Sequence, residues 1–163
     1  MTFFRGPDFP RPDPALIARF TKVEVATLGH MTDFGFPRGL RPILPGVGFA
    51  GPALTVRIPH LDSTAVHYVI DLVRPGDVIV IDQSGDDHRS SFGGGLAKVA
   101  QLKGAVGTVS NGSTNDVEEL RELGYPVVSR GITAHTTRVL GIEGAVNVPV
   151  SIGGVVVTSR GSA

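Results

Sequence analysis

Apolar and polar positions alternate along ALTVRI, Ala53 to Ile58, with Leu54, Val56 and Ile58 set against Thr55 and Arg57. That period predicts a strand with one buried face and a second face at least partly polar. Next, Ala65, Val66, Val69, Ile70 and Val73 form one apolar stripe at helical spacing, with Asp62 or Ser63 as the cap. His67 and Tyr68 lie beside the stripe, in a packed or solvent-edge role rather than as ligands. The turn Pro75 to Asp77 leads into VIVID, a continuous apolar run of the kind found in strands covered on both faces. It ends in Asp82, a carboxylate at a strand end, where a functional and a plain loop role are both open. Asp86 and Asp87, further along QSGDDHRSS, read as solvated loop residues.

Three glycines, Gly93 to Gly95, then run into LAKVAQLK, whose Leu96, Val99 and Ala100 fall at helical spacing before Gly104 ends it. AVGTV reads as a short buried strand, NGSTND as a polar turn and DVEELREL as a helix. PVVSRG gives another strand, and AVNVPVSIGGVVV two strands joined at Ile152 to Gly154, with His135 and Arg138 in the loop between.

The N-terminal third is less regular. Residues 1–12 mix Phe, Pro and Arg without a period and are expected to form an arm, ordered only if Phe3, Phe4 or Phe9 dock. Asp13 and Pro14 cap a helix carrying Leu16, Ile17 and Phe20, which continues or restarts through Val23, Val25 and Leu28. From Phe34 to Gly51 recurrent glycine and proline predict a connecting loop. Residues 13–163 thus read as a single α/β domain in which helices and strands alternate and the sheet can be mixed.

Composition narrows the function. The 163 residues carry 15 basic and 15 acidic side chains, a formal net charge of zero that gives no electrostatic argument for nucleic acid or an anionic membrane. A small molecule or a protein is the expected partner. With no cysteine there is neither a disulfide frame nor a thiolate metal site. No apolar run reaches the length of a membrane span and the N-terminus lacks a signal-peptide pattern, so a soluble cytoplasmic protein is expected. GxSxG, HExxH and GxxxxGK[ST] patterns are all absent, which argues against a zinc hydrolase or a nucleotide-binding enzyme.

What chemistry remains lies between Ser90 and Val127. A glycine loop that opens a helix presents outward-facing amides suited to a carboxylate or phosphate. The turn before the next helix supplies Asn115, Asp116, Glu118 and Glu119. Magnesium takes oxygen ligands and keeps several waters, so one or two carboxylates beside an anionic substrate suffice to hold it. The same residues also have a purely structural account: Asn115 as N-cap, Glu118 completing a capping box and Asp116 complementing the helix dipole. From spacing alone the structural account is the simpler.

GGxLA before a helix, G-x-x-G-x-V, the polar turn with Asp, ELRELGYPVVSRG and VNVPVSIGGVVV, together with AGPALTV and RPGDVIVID upstream, resemble one family. It is that of the ribonuclease-activity regulator RraA and the 4-hydroxy-4-methyl-2-oxoglutarate aldolases. The similarity runs from about Thr21 to Thr158. It implies a swivelling β/β/α domain, RraA-like, with a mixed sheet flanked by helices, assembled as a homotrimer or hexamer with the site at a subunit boundary. It also implies a metal-dependent aldolase acting on a small 2-oxo acid, with oxaloacetate decarboxylation as a companion activity and Mg²⁺, or another divalent cation such as Mn²⁺, as cofactor.

The family motif is a small residue of the glycine loop, then Arg-Asp after a fixed spacing, then an acidic residue. Here Gly94, Asn115, Asp116 and Glu119 keep that spacing, and the arginine is absent. Carried over, the resemblance assigns the pyruvyl carboxylate to the amides near Gly95 and Leu96, and the metal to Asp116, directly or through water. Asn115 stands where a guanidinium fork would hold the carboxylate, and an amide is shorter and uncharged. Two further departures are Asn111, where an aspartate is usual, and the C-terminus, which stops at TSRGSA where relatives continue with more strand and an Asp-Gly turn. Two functions follow from the resemblance, a lyase and a non-catalytic regulator that binds a ribonuclease or other protein partner. The family's older label, demethylmenaquinone methyltransferase, is set aside for want of an S-adenosylmethionine-binding pattern.

Overall fold

The computed structural model describes residues 2–159. In chain order its elements are β1 (Thr2–Arg5), α1 (Pro14–Phe20), α2 (Val25–Gly29), β2 (Arg41–Pro42), β3 (Ala53–Arg57), α3 (Thr64–Ile70), β4 (Val78–Asp82), α4 (Gly94–Leu102), β5 (Gly107–Ser110), α5 (Val117–Leu123), β6 (Val127–Ser129), β7 (Glu143–Val146), β8 (Val150–Ile152) and β9 (Val155–Val157). Seven strands form one mixed sheet in the order β1-β7-β3-β4-β5-β6-β2, while β8 and β9 pair only with each other. Strands β3 to β6 run parallel, β7 lies antiparallel to β3, and β2 antiparallel to β6.

β4 shows how the layers arise. All five residues of VIVID are buried, as the continuous apolar run predicts. Ile79 and Ile81 face the helices, packing with Val66 and Val69 of α3, Ala97 of α4 and Leu120 of α5. Val78 and Val80 face the other way, onto Val150 and Ile152 of the β8–β9 hairpin. Alternate side chains of one strand therefore bond three layers: hairpin, sheet and helices. Each buried Val, Leu or Ile contributes roughly 1.5–3 kcal/mol from desolvation. This is the β/β/α arrangement expected from the resemblance.

Several expectations are revised. The second face of β3 is partly polar as expected, with Arg57 exposed, but it is largely covered: Thr55 is fully buried, and its hydroxyl donates to Val148 O at 2.6 Å beneath the hairpin. AVNVPVSIGGVVV yields three strands rather than two, because the chain turns at Asn147, a non-glycine residue with φ 53°, between β7 in the main sheet and β8. Gly153 and Gly154, both with positive φ, make the two-residue hairpin turn that keeps β8 and β9 in register. The loop from Phe34 to Gly51 contains β2, a two-residue strand whose partner is β6.

The N-terminal segment expected as an arm carries β1, which adds a parallel edge strand to β7. Phe9 is buried, and Phe3 meets the Tyr68 ring edge-on at 4.6 Å. Arg11 grips the buried Asp77 with two nitrogens, at 3.0 and 2.8 Å, and stacks over Phe9. The helix start at Asp13 is as the sequence predicts, with Oδ1 accepting from Ala15 N at 2.8 Å. Neither α1 nor α2 buries a residue, however.

Asp62 is both cap and clamp. Its oxygens accept from Thr64 N and Leu140 N at 3.0 Å and Ile142 N at 2.6 Å, as well as from the Thr64 hydroxyl. Burial alone would raise its pKa. The Thr64 hydroxyl and the Leu140, Thr64 and Ile142 amides outweigh burial and hold the carboxyl well below the usual carboxylate range. No helix among the described residues is long and apolar enough to cross a membrane.

Candidate functional site

The loops after β4 and β5 both leave from the C-terminal edge of the parallel strands, the place where open α/β sheets bind ligands. They are laced to a third loop, residues 130–138. Ser90 N donates to His135 O at 2.8 Å and Thr137 N to Ser90 O at 2.9 Å. Thr114 N donates to Gly131 O, and Thr133 N to Thr114 O, both at 2.9 Å. A cleft of about 340 Å³ opens between these loops and the start of α3.

Its floor is the mouth of α4. As the first residues of a helix, Gly95 and Leu96 have amides with no intrahelical acceptor, and both line the cleft, Gly95 exposed and Leu96 half-buried. The amide of Gly94 is taken by Asp116, whose Oδ2 accepts it at 3.1 Å. Asp116 reaches back this way because its backbone is left-handed, φ 54° and ψ 45°, a conformation Asp tolerates better than most residues. It stands at the start of α5, yet its carboxylate serves the mouth of α4.

The glycines are dictated by this approach. A Cβ on Gly93 would collide with Asn115 Oδ1 and Asp116 Oδ2, and one on Gly94 with the Glu119 carboxylate. Asn115 is therefore tucked over the loop, with its Oδ1 accepting from the Ser90 hydroxyl at 2.6 Å. The capping-box account of this turn fails. Neither Asn115 nor Asp116 makes a side-chain cap on α5, and Glu118 pairs with Arg121 at the surface.

Gly95, Leu96, Asn115 and Asp116, the residues to which the resemblance points, thus line one cleft. Glu119 lies against Gly94 behind them and does not line the cleft. Asn111 stands apart: its Nδ2 donates to Asp82 Oδ1 and Ser151 O, both at 2.8 Å, and its Oδ1 accepts from Gln83 N. Asp82 is likewise structural, with its other oxygen accepting from Ser151 N at 3.0 Å. Together Asp82 and Asn111 tie the sheet to the hairpin. Asp86 is engaged by Arg89.

Sequence reasoning missed the opposite wall. His67, Thr136 and Thr137 line the cleft, and so does Ser63. The signal for His67 was its place four residues after Ser63, on the same side of α3. The two threonines had none, since the loop ladder that brings them in is a tertiary arrangement.

Among the described residues no three His, Cys, Asp or Glu side chains converge on a point that could hold a metal. The donor set excludes an all-protein cage. It fits a magnesium ion that keeps most of its water and takes Asp116 as its protein ligand.

The family model described as RraA-like, Aldolase/RraA, matches residues 24–161. A 4-hydroxy-4-methyl-2-oxoglutarate aldolase of Thermus thermophilus is 34% identical over 107 residues, 66% of this chain and 64% of that one. A protein of Halalkalibacterium halodurans, named as a candidate for the same activity, is 36% identical over 116 residues, 71% of this chain and 55% of its own length. The chain therefore spans under two-thirds of either relative. Among solved structures, Streptomyces coelicolor RraAS2, described as an unusual member of the RNase ES inhibitor RraA family, superposes with a TM-score of 0.79 at 30% identity, covering 91% of this chain and 79% of that one. The RNA-processing inhibitor RraA from Thermus gives 0.74 at 27%, covering 85% and 84%. With a family model matched over most of its length and the same fold in these neighbours, the chain belongs to the RraA-like family.

Proposed function

We propose that the chain is a divalent-metal-dependent lyase of the aldolase type that splits a small 2-oxo acid and releases pyruvate. The observation that carries this is the meeting of free α4 amides with Asn115 and Asp116 on one cleft. The amides of Gly95 and Leu96 hold the substrate carboxylate at the positive end of the helix. Asn115 Nδ2 donates toward the 2-oxo oxygen, where negative charge grows as the carbon–carbon bond breaks. Asp116 would hold the Mg²⁺ or Mn²⁺, which when bound supplies Lewis acidity toward that oxygen. Glu119, packed on Gly94, keeps the glycine loop and the Asp116 turn together and so positions rather than touches substrate. An amide at position 115 stabilises developing charge less than a guanidinium, so turnover is expected to be modest.

The relatives named as aldolases support this reading. A non-catalytic regulator that binds a ribonuclease or other protein is favoured instead by the neutral side chain at 115 and by structural neighbours described as inhibitors of RNA processing. Asp116→Ala separates the two. Under the lyase reading it abolishes metal-dependent pyruvate release, while loss of the α4 cap lowers stability by only about 1 kcal/mol. Calorimetry that gives parent and mutant the same metal affinity would remove Asp116 as a ligand.

We also propose assembly as a homotrimer or hexamer with the Gly93–Gly95 loop near a subunit boundary. Leu16, Phe20, Val25, Met31 and Phe34 are all exposed on and around α1 and α2, a set of apolar side chains that a neighbouring copy would cover. The edges of the main sheet are the short strands β1 and β2, not the β8–β9 hairpin. Sedimentation showing only monomer at micromolar concentration would refute assembly.

A further inference from the structure

We propose that the protein carries a second ligand site, apart from the cleft and independent of the lyase reading, that takes a free α-amino acid with an apolar side chain. The site is a cavity of about 400 Å³ where the C-terminal ends of β3 and β4 meet the start of β7. That volume lies within the usual range of small-molecule pockets. Strand register builds it. Ala145, buried with the residues beneath the hairpin, is paired with Phe4 of β1 on one side and with Arg57 of β3 on the other. A small residue between two large ones leaves a trough. Glu143, two residues earlier on β7, projects from the same face, because side chains alternate along a strand. Pro59, His60 and Ser84 complete the rim.

The charges point to a zwitterion. Arg57 and Glu143 are both exposed, and neither side chain has a hydrogen-bond or ion-pair partner among the described residues, each other included. Asp82, the register partner of Arg57 on β4, is engaged by Asn111, Ser84 and Ser151 and does not line the cavity. A ligand with a carboxylate and an ammonium on one carbon satisfies Arg57 and Glu143 together, each through a charge-assisted hydrogen bond. A ligand with one charge leaves a wall uncompensated and brings its own charge near a like one, a carboxylate near Glu143 or an amine near Arg57. The Phe4 ring, 61% exposed, and Pro59 give an apolar side chain a surface to cover.

The rim is set before a ligand arrives. His60 and Ser84 are non-glycine residues with left-handed backbone, φ 26° and 55°. Ser84 N donates to Asp82 Oδ1 at 3.0 Å and its hydroxyl to Ile58 O at 2.8 Å. Asp62 N donates to Pro59 O at 2.9 Å, and Glu143 N to Asp62 Oδ2 at 3.3 Å. Backbone held in such sparsely populated conformations clusters at ligand sites. None of the lining residues belongs to the Gly93–Gly95 loop or to α1 and α2, the surfaces proposed for contact between copies.

The test is calorimetric titration of the whole protein with L-phenylalanine, with 3-phenylpropionate, which lacks the ammonium, and with 2-phenylethylamine, which lacks the carboxylate. L-Phenylalanine is expected to bind at least about tenfold more tightly than either. Arg57→Gln and Glu143→Gln should each weaken its binding about tenfold, and glycine should bind the parent about tenfold more weakly for want of contact with Phe4. Both substitutions are at exposed positions, and an unchanged unfolding midpoint shows that the variants are folded. Equal binding of either one-charge analogue by the parent overturns the zwitterion. A phenylalanine affinity that neither substitution changes puts the ligand elsewhere on the molecule and overturns the site, as does no binding at millimolar concentration.

Discussion

Helices α3 and α1–α2 make an instructive pair. Both announce themselves by apolar residues at helical spacing beside an aspartate, yet α3 buries Ala65, Val66, Val69 and Ile70 while α1 and α2 bury nothing. What separates them is the neighbour. α3 is the crossover between the parallel strands β3 and β4, so connection geometry lays it on the sheet, and Asp62 locks its start to residues 140–142. α1 and α2 precede the sheet's central strands and are tied by no such crossover. The stripe tells that a face seeks cover, and only topology tells whether the same chain provides it.

The largest effect should come from cutting the α3 lock. Asp62→Ala leaves the partly buried amides of Thr64, Leu140, Ile142 and Glu143 and the Thr64 hydroxyl without their acceptor and is expected to cost about 3 kcal/mol, read as a lower denaturation midpoint with unchanged slope. A loss below 1 kcal/mol would mean that the clamp is incidental. Ile70→Ala, on the same helix, should cost about 2–4 kcal/mol through the cavity it leaves.

Acid should expose the same lock more gently. The Asp62 pKa is depressed in the folded state, so its contribution is complete above the unfolded carboxyl value of about 3.9 and declines as pH falls through and below it. The difference in stability between parent and Asp62→Asn should therefore narrow as pH is lowered from about 5 toward 2. A difference independent of pH over that range would show that the carboxylate charge contributes nothing.

The smallest effect on folding is expected at the other member of the pair. Val25→Ser and Phe34→Ser, both at well-exposed positions, should change unfolding free energy by less than about 0.5 kcal/mol at protein concentrations too low for association. The same changes should weaken self-association if another copy covers this face. A monomer destabilised by more than 1 kcal/mol would place these side chains in a core, and the contrast with α3 would collapse.

Legibility in the sequence followed the range of the interactions. Local periodicity carried β3, β4, α3 and α4, and the family resemblance, not periodicity, singled out Gly95, Leu96, Asn115 and Asp116, which line one cleft. What escaped was set by partners distant in sequence. β1 exists because β7 offers it an edge, and Thr55 is buried because a hairpin nearly a hundred residues later closes over it. Asn115 and Glu118 matched a capping box in spacing, but Ser90 and Gly93, brought in by another loop, took Asn115 elsewhere.

The lacing of the three cleft loops has a consequence for how the site moves in time. Amides of Ser90, Thr114, Thr133 and Thr137 are bonded from loop to loop as residues of a sheet are. Their exchange with deuterated water should then follow the slow regime of β4 and β5, not the fast regime of surface turns. A ligand meets a surface that is already set, and its arrival should leave the protection of these amides almost as it found it.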